Sequence, residues 1–301
     1  MPNIQTQLIP PESARYSARI SGAPPSALAQ AMYRPFLAAF LVCLGLALTT
    51  VGPFANIGLK TLWFDGILYF LAVAATLVSM ARRLPAQNVA ACALIVASAA
   101  GLVTAVGAKT GMPFGRFEYT FTFAPALLGL QACVIPLVWA ALLLNSRGVA
   151  KLMLRPWRRE DHYGYWLLCA SSVLAVLAGA GHEAFAVRFR HYWTWTGSTP
   201  STDWYGTPWM NFAAWLTVAA VGLILATPWL ISKRPVQQPQ DFSPLWIWLG
   251  LNTYFSIGNL LSGCWWAVTL TAVASAATAL LAWRGSREEA RPSPNGAPPK
   301  Q

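Results

Sequence analysis

The chain has 301 residues, of which 56% are hydrophobic and 10% charged, and it carries a formal charge of +11. A soluble domain carries about 25% charged residues, so this composition excludes an ordinary soluble globular protein and points to an integral membrane protein. In that setting the basic excess marks cytoplasmic loops, and no nucleic-acid partner is expected.

Residues 1–34 mix Pro, Ser, Gln and Ala without helical periodicity and read as a disordered cytoplasmic tail. Eight runs then approach the roughly 20 apolar residues that a spanning helix needs. They lie near 35–51, 62–80, 88–107, 121–144, 164–181, 209–231, 244–261 and 264–283. The first begins too deep for a signal peptide and lacks a clear cleavage site, so it reads as an anchor. Residues 286–301 form a Pro-rich tail. The expected fold is therefore all-α: a polytopic bundle of about eight spans over residues 35–285, with the lipid bilayer as its solvent.

Basic residues set the orientation. With the amino end inside, sixteen of the twenty-one Lys and Arg fall on inner segments; Lys60, Lys109, Arg116, Arg188 and Arg190 remain outside. That asymmetry places both termini in the cytoplasm and fits a bacterial cytoplasmic membrane. The five Cys lie in apolar runs without metal-like spacing and read as small buried hydrophobes. Trp246, Trp248, Trp265, Trp266 and Trp283 read as interfacial belt residues.

Polar outliers gather in two outer connections, GAKTGMPFGRFEYTFTFAP (107–125) and GHEAFAVRFRHYWTWTGSTPSTDWYGTPWMNF (181–212). Between them they hold Glu118, Glu183, Asp203, His182, His191 and Asn211. An ionisable group near lipid costs about 2–3 kcal/mol, so it usually faces a cavity or a partner. A carboxyl removed from water favours its protonated form, which is what an acid catalyst at neutral pH requires. Glu183 follows the apolar run LAVLAGAGH and is the leading candidate; its competing reading is a salt bridge to Arg188 or Arg190. Asp203 doubles as a turn residue in STPSTDW, and Asp65, alone in WFDGILYF, reads as a partner for a neighbouring helix. Trp193, Trp195, Trp204, Tyr205, Trp209 and Trp215 are interleaved with Gly, Pro and Asn, a mixture suited to a ring-lined pocket. Ring faces attract cations by about 2 kcal/mol in a dry site.

Other chemistries lack their residues. GAKTG has no Gly-Lys adjacency and no preceding strand, so it is not a phosphate loop. Gly107, Gly111 and Gly115 are interrupted by Lys109 and Pro113 and read as a loop rather than a packing face. Three His are too few for a membrane di-iron site, and none is placed for haem. There is no Asp-rich pair to hold magnesium and a diphosphate. No metal or other cofactor is expected.

The fragments TGMPFGRFEYTFTFAPALLG, VIPLVW, EAFAVRFRHYWTW and WYGTPWMNFAAW, within residues 107–215, resemble the membrane carotenoid biosynthesis proteins that include the CruF-type carotenoid hydratases. The shared pattern is FG-x-[aromatic]-x-Y, IPL-x-W and [aromatic]-G-x-P-x-x-NF-x-x-W, in that order. The resemblance implies an enzyme that adds water across the terminal 1′,2′ double bond of an acyclic carotenoid end group. It also implies two acids on and after the fifth helix. Gly179 stands in the first place, a departure, and Glu183-Ala184 in the second.

The reaction so implied is acid-catalysed. Glu183, or otherwise Asp203 or Glu118, protonates the alkene, and water completes the addition. Tyr119, Trp139, Trp193, Trp195, Trp204, Tyr205, Phe212 and Trp215 are the substrate-binding candidates, with Asn211 and His191 to orient the water. A long polyene is about as long as the hydrocarbon core is thick, ~30 Å, so its end would lie near an interface. End-group isomerisation or cyclisation begins with the same protonation and remains an alternative. So does a non-catalytic carrier or scaffold for an isoprenoid or lipid. Other carotenoid-pathway enzymes are conceivable partners. A transporter is disfavoured, because the spans show no inverted repeat.

Overall fold

The computed structural model describes residues 27–51, 61–120, 126–127, 131–132, 134–158, 160–197, 203–231 and 240–288. Eight long helices occupy most of them: α1 (Ala27–Val51), α2 (Thr61–Ala81), α3 (Ala86–Thr110), α4 (Val134–Met153), α5 (Tyr163–Ala184), α6 (Trp209–Leu230), α7 (Ser243–Leu261) and α8 (Trp265–Glu288). Helices are the expected outcome, since in lipid each backbone N–H and C=O needs a partner within the segment. Seven of the eight are long and apolar enough to cross a membrane, making this a multi-pass integral membrane protein. The exception is α7, a 19-residue helix. It buries Asn252, Tyr254 and Asn259 along with its apolar face, and these buried polar side chains lower its hydropathy.

The centre of the bundle is α4. Of its apolar window 72% is buried, against 22% to 50% in the other six spans. Polar atoms there are satisfied inside the protein: Asn145 Nδ2 donates to Thr76 Oγ1 at 2.8 Å and to Ala141 O at 2.7 Å. Trp248 Nε1 reaches Ser146 Oγ at 3.2 Å. Trp248 is therefore a core residue, fully buried, and not the belt residue expected, because its indole N–H finds a hydroxyl partner in the core. Trp246, Trp265, Trp266 and Trp283 are exposed. Cys43, Cys92 and Cys264 are buried and Cys169 is exposed; Cys133 lies outside the described residues.

Two helix starts differ from the sequence reading. The first helix begins at Ala27, with Pro35 inside it. The fourth begins at Val134 rather than 121. Pro136 then sits in the first turn, where its missing N–H is tolerated, and the apolar residues before Val134 include the short pair β2 (Ala126–Leu127) and β3 (Gln131–Ala132). Arg147 and Lys151, read as loop residues, are on the last turns of α4.

At the end of the bundle where α2 closes and α7 opens, Asp241 ties the two helices together. Its carboxylate pairs with Arg82 at 2.7 Å and accepts from the Ser79 and Ser243 hydroxyls and from the Ser243 N–H at 3.0 Å. Burial alone would raise the Asp241 pKa, but these donors and Arg82 outweigh it and hold it below the ordinary carboxylate value. A carboxylate with a depressed folded pKa stabilises the fold above its unfolded pKa, and that contribution is lost as pH falls through the folded value. Asp241→Asn should accordingly lower the melting temperature in detergent at neutral pH. The gap from wild type should shrink as the pH drops below the usual carboxylate range.

The opposite end carries the other feature. Gly111 ends α3 in the left-handed region, φ 78°, with its N–H on Gly107 O at 2.7 Å, a conformation glycine adopts without penalty. The chain then forms β1 (Phe117–Tyr119), which pairs antiparallel with β4 (Trp193–Trp195) from the distant α5–α6 connection. Phe117 faces Trp195 and Tyr119 faces Trp193 across this ribbon.

Candidate active site

The β1–β4 ribbon roofs a small, partly open cavity of about 40 Å³. The walls come from the ends of four helices. Thr104 is on α3, Ile135, Val138 and Trp139 on α4, His182 and Glu183 on α5, and Asn211 and Trp215 on α6. Phe114, Phe117, Tyr119, Trp193 and Trp195 complete it from the connections. Two segments some 75 residues apart thus meet at one end of the bundle around a single carboxyl.

That carboxyl is Glu183, 3% exposed. Trp193 Nε1 donates to its Oε2 at 3.2 Å, and Asn211 and Trp215 flank it as well. Tyr119 OH, Trp195 Nε1 and both nitrogens of His182 are buried without a hydrogen-bond partner among the described residues. Burial, with Glu183 nearby, pushes the Tyr119 phenol well above its ordinary pKa, so it stays a neutral donor. The cavity therefore combines one acid, several unused polar atoms and a wall of rings.

The ring packing is specific. Trp139 stacks on Trp215 with centroids 4.0 Å apart and planes at 24°. Phe117 packs on Trp195 at 5.0 Å, and Tyr119 meets Trp193 edge-on at 6.2 Å. Such pairs contribute about 0.5–1.5 kcal/mol beyond their buried area, which fixes the faces presented to an occupant.

Of the acid, water-orienting and substrate-binding candidates, Glu183, Tyr119, Trp139, Trp193, Trp195, Asn211 and Trp215 line this cavity and six others do not; Trp209, from the same ring-rich stretch, is exposed outside it. Glu118 lies between Phe117 and Tyr119 on a strand, so the two-residue period turns it to the exposed face. His191 is exposed and sits at φ 54°, its carbonyl taken by the Thr120 hydroxyl. Asp203 precedes a separate cluster beyond the cavity. There Trp204 donates to Ala180 O at 2.9 Å, Tyr205 OH receives the Trp266 N–H at 2.8 Å, and Phe212 packs edge-on to Trp204. Trp204 and Tyr205 seal the α5–α8 contact, packing on Ala184, Cys264 and Ala267. His182, Phe114, Phe117, Thr104, Ile135 and Val138 line the cavity without having been singled out as site residues. For His182 the available signal was an imidazole directly after an apolar run.

Glu183 does not form the salt bridge that competed for it. Arg190 pairs instead with Asp65 at 2.9 Å.

The family model described as carotenoid biosynthesis protein matches residues 64–278, well over half of the chain and every cavity-lining residue. The chain belongs to this family. Among curated proteins it is similar to the bisanhydrobacterioruberin hydratase of Haloarcula japonica, 31% identical over 120 residues. The match covers 40% of this chain and 38% of that relative, so it spans less than half of the relative's length. No solved structure matches.

Family membership sharpens the question of Gly179, which stands where the resemblance implies a first acid. A Cβ there would lie 2.7 Å from a ring carbon of Trp215, closer than packed atoms approach. Trp215 is held from behind by Trp139 and cannot yield cheaply. The space an acid would use at 179 is filled by indole. Overpacking of this kind costs about 1–3 kcal/mol. Gly179→Ala is expected to lower the melting temperature in detergent, and Gly179→Asp to lower it further rather than improve turnover.

Proposed function

We propose that this carotenoid-family membrane protein is an enzyme that hydrates the terminal double bond of an acyclic carotenoid, with Glu183 as the proton donor. The observation that carries the reading is a single buried carboxyl at the wall of a ring-lined cavity, held by the Trp193 indole. Placed out of water, that carboxyl is suited to remain protonated until an alkene meets it. Proton transfer to the less substituted alkene carbon leaves a tertiary cation. The faces of Trp139, Trp195 and Trp215, with Phe117 and Tyr119, are suited to attract it. Attack by water on that cation forms the tertiary alcohol, and the Asn211 amide, which lines the same wall, is suited to orient the water. The name of the Haloarcula relative supports hydration over isomerisation or cyclisation.

A linear polyene with its end in this cavity would extend along the bundle toward the other leaflet, since its length is comparable to the ~30 Å hydrocarbon core. The bacterial cytoplasmic membrane is the proposed location. The test is expression in a lycopene-producing host, followed by pigment chromatography and mass measurement. A product heavier by one water is the expected result. New products of unchanged mass would move the assignment to isomerisation or cyclisation, and unchanged pigment would remove both.

A further inference from the structure

His182 sits next to Glu183 on α5 and lines the same cavity, with 1% of its surface exposed. Consecutive residues on a helix diverge by about 100°, so the two side chains approach the cavity from different directions. The imidazole packs against Phe255, Trp193 and Tyr69, at centroid distances of 5.1, 5.8 and 6.1 Å. Neither of its nitrogens has a hydrogen-bond partner among the described residues. Leaving a buried polar atom unsatisfied is costly, and native proteins tolerate it mainly where the atom serves a ligand or a reaction.

Hydration has a use for such a group. Once Glu183 has delivered its proton, the attacking water must lose one. We propose that His182 accepts that proton, so that Glu183 and His182 act as donor and acceptor on one substrate; the inference rests on the hydration reading above. In the first step the Glu183 O–H bond breaks and the alkene π pair forms the new C–H bond, leaving a carboxylate and a tertiary cation. In the second, a water lone pair forms the C–O bond. One water O–H bond breaks, its electron pair stays on oxygen, and the proton goes to an imidazole nitrogen. Transfer of that proton from the imidazolium back to the Glu183 carboxylate, through water, restores both groups. The sum is one water added, with nothing oxidised or reduced.

Charge bookkeeping favours this pair over release of the proton to bulk water. Carboxylate and carbocation, then carboxylate and imidazolium, keep the cavity neutral throughout, whereas an unpaired ion in a low-dielectric site is expensive.

The test uses membranes containing the full chain, wild type or carrying His182→Gln, His182→Phe or Glu183→Gln at matched protein levels. Each is incubated in D₂O with an acyclic carotenoid. Wild type is expected to give hydrated, deuterium-bearing product. In both His182 variants the hydrated product should fall about 100-fold or more, in the range typical of a lost acid–base group. Deuterium should still enter the end group of the recovered substrate, because the cation can return a proton to Glu183. A purely structural role would not separate these two readouts. Glu183→Gln should abolish both. Hydration near the wild-type rate in both His182 variants would overturn this inference while leaving Glu183 as donor. Loss of deuterium entry together with hydration in those variants would overturn it too. Hydration surviving in Glu183→Gln, or absent in wild type, would instead bring down the reading on which it rests.

Discussion

Glu183→Gln is expected to reduce the hydrated carotenoid by at least about 100-fold while leaving the protein in the membrane at its normal level. The magnitude follows from what the substitution removes. General acid catalysis typically supplies 10²- to 10⁴-fold, about 3–5 kcal/mol of barrier, and Gln has no proton of comparable acidity to give. Gln keeps a side-chain oxygen to receive the Trp193 N–H, so the 3.2 Å contact and the ring packing beside it need not change. The contrast is with Glu118→Gln and Asp203→Asn, expected to keep product within about threefold of wild type, as surface changes generally have small effects. Glu118 is exposed on the outer face of β1, and Asp203 lies outside the cavity lining. Pigment chromatography of the three variants in a lycopene-producing host makes the comparison. Loss of product in Glu118→Gln or Asp203→Asn, with Glu183→Gln active, would reassign the acid.

The all-α membrane architecture was legible because apolar runs of about 20 residues have few other uses. That the two polar connections belong together was legible as well, since both were assigned to one face by charge. What the sequence could not specify was how the second connection divides. Trp193 and Trp195 fall on a strand paired with β1, whereas Trp204, Tyr205 and Phe212 turn to the α5–α8 contact. Their compositions are alike, and the difference lies in long-range strand pairing that no local pattern encodes. His182 escaped notice as a site residue for a related reason. Beside a carboxyl it read as one more polar loop residue, and only the packing of Tyr69 and Phe255 from other helices reveals its enclosure. The fourth helix misled through composition alone, because residues 121–133 are apolar enough to extend it while Pro125, Gly129 and Pro136 argue against doing so.

The buried pair behind the site has the largest expected effect on stability. The Asp65 carboxylate, with 1% of its side chain exposed, takes Arg190 at 2.9 and 3.2 Å and accepts from the Tyr192 and Tyr254 hydroxyls. The cluster joins α2, α7 and the segment leading into β4. The chain reaches Arg190 through a turn of π-helix, Phe185–Phe189, whose wider winding is a local cost often accepted near functional sites. Because Tyr192 adjoins Trp193, the pair also anchors the strand that carries the indole on Glu183. Removing one partner of a buried pair strands the other's charge, at a cost of about 3–5 kcal/mol. Arg190→Ala is therefore expected to lower the melting temperature in detergent sharply, with carotenoid conversion falling in parallel as β4 loosens. Asp65→Asn combined with Arg190→Gln removes both charges and keeps hydrogen-bonding groups in place, so it should recover much of the lost stability. If Arg190→Ala melts with wild type, or if the double variant is as unstable as the sum of its singles, the pair is not what secures the roof of the cavity.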